Sequence, residues 1–216
     1  MIKRDTRMVS IQGVPMMIYE SPECISDDIV KYGNFWEFEL FNKWFKYFPT
    51  DGLYLDIGAN IGSNTLQFKK NLPNVEIWAF EIDFNNFKLL KQNLKSFPNL
   101  FCFNIGVGSN TSLVNFNDGH HSNSGVVSIA TDGVNQNLVM KLDNLDIQGR
   151  DLTFIKLDIE HHELAALEGM EKLILTHKPI IWVEDFTGLA RKFLTNLGYE
   201  IVESVEETND YLLILK

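Results

Sequence analysis

Leu53-Tyr54-Leu55-Asp56-Ile57-Gly58-Ala59-Asn60-Ile61-Gly62 runs from an apolar strand into an acidic residue and then into a glycine-bracketed turn. The polar segment after Gly62 is fit to open a helix. A second strand-like run, Val75 to Phe80, ends on Glu81, nineteen positions beyond Gly62. This is the layout of a nucleotide site in an open parallel sheet, where a tight turn meets the ligand and a carboxylate one strand over holds a ribose.

The glycine spacing narrows the ligand. A dinucleotide fingerprint starting at Gly58 needs glycine at 60 and 63, where the chain has Asn60 and Ser63. Starting at Gly62 it meets Asn64 and Gln67 instead. Without those glycines a pyrophosphate cannot sit against the backbone. A G-x-x-x-G turn preceded by Asp56 and followed by Glu81 suits a ligand with a ribose and no phosphate, namely S-adenosyl-L-methionine. The expected cofactor contacts are Asp56, Gly58, Ala59, Asn60, Gly62 and Glu81, joined by Ile82, Ile105 and Asp158 beside the following strands. Taken alone, the turn also fits an ordinary strand–turn–helix whose glycines serve only geometry. The carboxylate at the expected distance argues against that.

A chain of 216 residues is one domain with a short N-terminal extension, divided as 1–50 and 51–216. Its 45% apolar content and 16 phenylalanines allow a large core. The net charge of −10 speaks against nucleic acid, which needs a basic patch, and the closest cationic cluster is a diluted tail from Lys3 to Arg7. Cys24 and Cys102 are the only cysteines, and neither has a C-x-x-C neighbour; Cys102 sits in an apolar run and is expected to be buried. A reduced, cytoplasmic protein is the expectation, because the first residues lack the apolar core of a signal peptide. No apolar run approaches the ~18 residues that span a bilayer.

Turn signals at Gly13 and Pro15 predict a short hairpin or an extended segment over residues 1–20. Helical spacing runs from Ser26 to Phe48, broken at Gly33-Asn34 and rich in aromatics. From Leu53 the pattern alternates. Strands are expected at 53–57, 75–80, 100–105, 153–158 and 179–184, with helices near 62–71, 84–96, 161–168 and 187–197. Two closing strands near 199–203 and 210–215 are joined by too short a loop for a parallel crossover, so they pair antiparallel. Residues 106–142 read as hairpin excursions, with β-like runs at 112–116, 125–130 and 138–142. The fold class is α/β, a doubly wound, mostly parallel, Rossmann-like sheet with an antiparallel last strand.

A second cluster follows the strand Phe154-Ile155-Lys156-Leu157. Asp158, Glu160, His161, His162 and Glu163 put five ionisable groups within six positions at the carboxyl end of a strand, the rim where ligands bind. Asp158 would take the charged end of the cofactor, and one histidine would act as general base. A helix N-terminus favours Asp and Glu for its dipole, which accounts for Glu160 or Glu163, but it disfavours two adjacent histidines. Asp, Glu and His are also metal ligands. However, His161 and His162 would point about 100° apart on a helix, and nothing fixes His120 and His121 nearby, so no metal is assigned.

Three ordered motifs together resemble the FkbM-type S-adenosylmethionine-dependent methyltransferases, over about residues 33 to 185. Leu55 to Gly62 looks like the family's cofactor loop. Phe80-Glu81-Ile82-Asp83, followed by Asn85 and Leu90 to Asn93, is similar to its acidic ribose loop. Ile155 to Glu163, with Ala166 to Gly169, looks like its signature K-x-D-x-E-G-H-E followed by L-x-G. His161 departs from the pattern, standing where the family usually has glycine. Trp36-Glu37 is similar to an aromatic–Glu pair ahead of the cofactor loop. The resemblance implies a class I methyltransferase fold and transfer of a methyl group to oxygen on a small molecule or glycan. His162 matches the family's single histidine and would be the base, with Glu160 or Glu163 orienting it and Asp158 beside it. Glu184, ending the next strand, would point at the same rim and contact the substrate. A nicotinamide oxidoreductase and a non-catalytic cofactor-binding module are the alternatives on the same fold.

Overall fold

The computed structural model describes residues 4–117, 122–125 and 127–216, so His120 and His121 lie outside the described residues. Thr6–Ile11 (β1) and Val14–Tyr19 (β2) form an antiparallel hairpin, the first of the two readings open for this segment. Helix Cys24–Tyr32 (α1) starts two residues before the predicted Ser26, because the Glu23 carboxylate accepts the Ser26 N–H at 2.8 Å and caps it. Phe38–Trp44 (α2) follows, ending in a 3-10 turn over Phe45–Tyr47.

The alternating part begins with Leu53–Ile57 (β3), Ser63–Asn71 (α3), Glu76–Phe80 (β4), Phe84–Leu94 (α4) and Leu100–Phe103 (β5). The strand expected over 100–105 ends at Phe103, and Gly106–Val107 (β6) joins a separate sheet. That sheet adds Ser112–Asn117 (β7), Ser128–Ile129 (β8) and Asn135–Met140 (β9), in the order β6-β9-β7-β8. The runs expected at 125–130 and 138–142 are thus a two-residue strand and a strand displaced toward the N-terminus. Leu152–Leu157 (β10), Glu163–Glu168 (α5), Glu171–His177 (α6), Ile180–Glu184 (β11), Leu189–Asn196 (α7), Tyr199–Val205 (β12) and Asp210–Leu215 (β13) complete the chain.

Helix α6 is absent from the sequence expectation, which stopped at Gly169. That glycine has a right-handed φ of −75°, so it permits a second helix almost at once. Cys102 is partly exposed rather than buried.

The central sheet has seven strands in the order β12-β13-β11-β10-β3-β4-β5. Strands β3, β4, β5, β10 and β11 are parallel, while β13 runs antiparallel between β11 and β12. The period of two along each strand sorts the core into two faces. Leu53, Leu55, Ile57, Ile155 and Leu157 join Leu167, Ile174 and Leu194 of the helices α5, α6 and α7. Tyr54, Phe154, Trp182 and Leu212 face the other way, onto Phe41, Trp44, Phe48 and Phe68 from the α2 segment and α3. The Tyr54 and Phe154 rings stack at 4.7 Å and the Trp44 and Trp182 rings meet edge-on at 5.2 Å, contacts worth ~0.5–1.5 kcal/mol each beyond burial. The aromatics between Ser26 and Phe48 therefore cover one face of the sheet.

Ladder register then aligns side chains across strands. Asp56 pairs with Lys156, Lys156 with Trp182, and Trp182 with Leu212. Two residues on, Gly58, Asp158, Glu184 and Asp210 form the next row at the carboxyl rim. Glu184 and Asp210 are directly opposed, and the Asp158 N–H donates to the Ile57 carbonyl at 3.0 Å. Gly58 belongs to that row for a steric reason. Its φ is +86°, and a Cβ there would lie 1.7 Å from the Asp158 carbonyl oxygen. Gly149 also has a left-handed φ of +72°, but nothing lies within 4 Å of its Cβ position. Gly58→Ala should therefore destabilise the protein by about 2–5 kcal/mol, combining left-handed strain with a backbone clash. Gly149→Ala should cost only about 1 kcal/mol. Chemical denaturation of the two variants tests the difference, and equal losses would remove the rim clash as the cause.

Candidate active site

The turn 58–62 is held open by its neighbours. The N–H groups of Gly58 and Ala59 both donate to the Phe80 carbonyl at 3.0 Å. The Asn60 N–H donates to Glu81 Oε2 at 2.9 Å, and the Asp83 N–H donates to Glu81 Oε1 at 2.7 Å. Each Glu81 oxygen therefore keeps acceptor capacity toward the cleft it lines. Burial pushes the Glu81 carboxyl up from 4.5 to about 8, with the Asp83 charge adding and the two backbone N–H groups opposing. Asp56, on the same strand as the turn, accepts the Thr65 hydroxyl at 2.5 Å.

The cleft holds about 290 Å³, at the lower edge of the ~300–1,000 Å³ usual for small-molecule sites. Of the residues expected from sequence, Asp56, Gly58, Ala59, Asn60, Glu81, Ile82, Ile105, Asp158, Glu160 and His162 line it. Gly62 and Glu163 do not. Gly62 precedes the first turn of α3, and Glu163 is buried with its Oε1 accepting the His161 N–H at 3.0 Å. Two described segments outside the sheet close the cleft. Cys24, Ile25 and Trp36 approach from the N-terminal side and Asn123, Ser124 and Gly125 from the small sheet. Glu23 joins them: its Oε1 accepts the Ser124 N–H at 2.9 Å while its Oε2 caps α1. Asn86 Nδ2 donates to the Ser124 carbonyl, and the Ser124 hydroxyl donates to Asn60 Oδ1 at 3.3 Å.

The histidine turn differs from the predicted helix over 161–168. Glu160 and His161 have φ of +49° and +68°, so neither is helical and α5 begins only at Glu163. The left-handed backbone explains why a glycine would serve at 161. His161 is exposed and packs on the Phe186 ring at 5.5 Å, whereas His162 turns into the cleft and burial lowers its pKa. The two histidines thus occupy different environments.

Sequence reasoning left three residues of this site unassigned. Lys156, 2% exposed, places Nζ 3.0 Å from Asp158 Oδ2, 3.1 Å from Glu37 Oε2 and 5.1 Å from the Trp182 ring centre. Its carboxylate neighbours outweigh burial and keep it protonated. Glu37, known only from its motif, also accepts from Asn64 Nδ2 at 2.5 Å. Asp210 had a usable signal. The first residue of an antiparallel strand lies at the rim where the parallel strands end. Burial raises the pKa of Glu37, Glu184 and Asp210, while Asp158, bonded to Lys156 and to the Glu184 carboxyl, is held low.

No lysine or arginine lines the cleft among the described residues. A phosphate-bearing cofactor would find no counter-charge there, whereas a ribose diol finds the Glu81 carboxyl. The lining thus fits S-adenosylmethionine: Glu81 offers acceptors that a ribose diol could use, Ile82 and Ile105 offer apolar surface, and Asp56 and Asp158 offer carboxyls for a cationic group. Among the described residues no group of three His, Cys, Asp or Glu side chains is arranged to hold a metal ion.

These raised carboxyls set an unusual pH dependence. Between the ordinary carboxylate range and about pH 8, native Glu81 keeps a proton that the unfolded chain releases. The stabilisation is complete below that window and is lost as pH rises through it. Glu37 and Glu184 act in the same direction. The thermal midpoint of the ligand-free protein should fall from pH 5 to pH 8, and Glu81→Gln should flatten the decline. A midpoint that rises over this range would contradict the assignment.

The family described as "Methyltransferase FkbM domain" matches residues 56–201. The chain is 26% identical over 161 residues to the hexuronic acid methyltransferase AglP of Haloferax volcanii, covering 73% of this chain and 66% of that protein, just short of two thirds of its length. Methyltransferase FkbM from Methylobacillus flagellatus superposes with a TM-score of 0.57 at 23% identity, over 78% of this chain and 44% of that one, and shares its fold. The motifs at Asp56–Gly62, Glu81 and Asp158–Glu163 fall within the matched region, and the chain belongs to the FkbM family of S-adenosylmethionine-dependent methyltransferases.

Proposed function

We propose that this protein transfers a methyl group from S-adenosylmethionine to a hydroxyl oxygen of a small molecule or glycan. The observation that carries the reading is His162, which faces into the same cleft as the Glu81 carboxyl. Bound there, S-adenosylmethionine supplies an electrophilic methyl group. The chain's own residues position the partners and manage one proton. Glu81 fixes the ribose hydroxyls. The rim row of Asp158 and Glu184 faces the acceptor. His162, whose lowered pKa keeps the ring neutral near pH 7, takes the proton from the acceptor hydroxyl at a ring nitrogen. Walls drawn from the N-terminal segment 1–50 exclude water, and residues 51–216 carry the chemistry. The charge of −10 and the cation-free lining favour an acceptor other than nucleic acid. Among the described residues no helix is long and apolar enough to cross a membrane. A cytoplasmic location belongs to the same reading.

Calorimetry should detect S-adenosylmethionine and its demethylated product but not NAD. Glu81→Ala leaves ribose donors unpaired, which costs ~1–3 kcal/mol, so cofactor affinity should fall ~10- to 100-fold with the fold intact. Unchanged affinity would move the ribose to another group.

His162→Ala should lower kcat by ~10²–10⁴ with little effect on cofactor affinity. His161→Gly should leave turnover intact and, by relieving the left-handed backbone, raise stability by about 1 kcal/mol. An assay of cofactor turnover distinguishes the two residues. Loss of turnover in the His161 variant alone would assign the base wrongly.

A further inference from the structure

Four carboxyl groups gather on the strand-end side of the cleft. Glu184 and Asp210 face each other across the β11–β13 ladder, with Glu37 and Asp158 beside them. Lys156, the buried cation of this cluster, is engaged by Glu37 and Asp158. Within this arrangement one atom has an unmet requirement. Asp210 is 1% exposed, and its Oδ1 accepts the Trp182 indole N–H at 2.6 Å. Its Oδ2 is buried and has no hydrogen-bond partner among the described residues. The nearby Thr208 hydroxyl donates to the Val205 carbonyl at 3.4 Å and lies close enough to Asp210 to oppose the effect of its burial. A buried acceptor left unpaired costs ~1–3 kcal/mol, and one lining a cleft is satisfied by a ligand that brings a donor.

Resting on the methyltransferase reading above, we propose that Asp210, with Glu184 and Glu37, forms an acceptor subsite that binds a hydroxyl or protonated amine of a polyhydroxylated ring and excludes carboxylate and phosphate groups. The reasoning is one of charge and donor count. An anionic acceptor would meet the Asp158 carboxylate, which stays ionised, and no lysine or arginine in the lining among the described residues, and like charges at close range cost several kcal/mol. A hydroxyl or ammonium donates to Asp210 Oδ2 and meets no repulsion. The subsite therefore differs in charge preference from what a hexuronic acid, the acceptor class in the name of the AglP relative, would require. Asp210 is a specificity residue here, and the proton transfer stays with His162.

The test loads the protein with S-adenosylhomocysteine and titrates three methyl glycosides, a hexose, the matching 2-amino-2-deoxyhexose and the matching hexuronate, read by saturation-transfer NMR. The hexose and aminohexose should bind and the hexuronate should not. Asp210→Asn keeps an oxygen for the Trp182 N–H and puts a donor where Oδ2 was, so it should weaken aminohexose binding at least tenfold. Glu184→Gln, which also keeps the size of the side chain, should weaken it in the same sense. S-adenosylhomocysteine affinity should stay within twofold in both variants, which separates the subsite from a general loss of structure. Hexuronate binding equal to the aminohexose, no binding by any of the three, or unchanged aminohexose affinity in Asp210→Asn would each overturn the subsite. Failure of S-adenosylhomocysteine to bind the parent protein would instead overturn the methyltransferase reading itself.

Discussion

The buried Lys156 ammonium is the constraint on which the carboxyl-lined rim depends. Without it, Asp56, Glu37, Asp158, Glu184 and Asp210 would gather their charges in a space largely closed to water. A single cation with two carboxylates within about 3 Å lets Asp158 stay ionised while burial raises the pKa of its neighbours. The sheet makes this possible because register places Lys156 between Asp56 and Trp182, one step below the rim row. The indole answers in two directions: its face receives the ammonium and its N–H reaches Asp210. Stability of the core and charge of the site are therefore set by the same side chains.

That coupling explains the one-sided use of aromatics. The face bearing Lys156 is covered by Trp44, Phe48, Phe68 and Trp182, while the opposite face is mostly aliphatic. Aromatic rings exclude water as aliphatics do, and they also tolerate a cation at their faces. A purely aliphatic cover would leave the ammonium with carboxylates alone.

The sequence was readable where chemistry and local geometry coincide. Asp56, the Gly58 turn and Glu81 are marked by an apolar strand, a glycine and a fixed interval, and the structure brings all three to one cleft. The last two strands were also legible, since a short loop forbids a crossover. Legibility failed where the decisive contact is distant or the backbone is unusual. The helix start at Glu163 depends on two left-handed residues that are not glycine, which propensity does not reveal. The passage of Gly106–Val107 into the small sheet depends on pairing with β9, more than thirty residues away. Asp210 opens an antiparallel strand at the rim, a signal that gains its meaning only from what stands opposite it, Glu184.

The Glu23 carboxylate has one oxygen on the first turn of α1 and the other on Ser124, over a hundred residues away in the chain. Ser124 in turn touches Asn60, whose N–H donates to Glu81. The wall of the cleft and Glu81 are therefore links of one hydrogen-bonded chain running back to the N-terminal segment. Thermodynamic reciprocity follows: a ligand that binds better with this wall in place also tightens the docking of α1, by the same free energy. The first thirty residues thereby share in the affinity of the site.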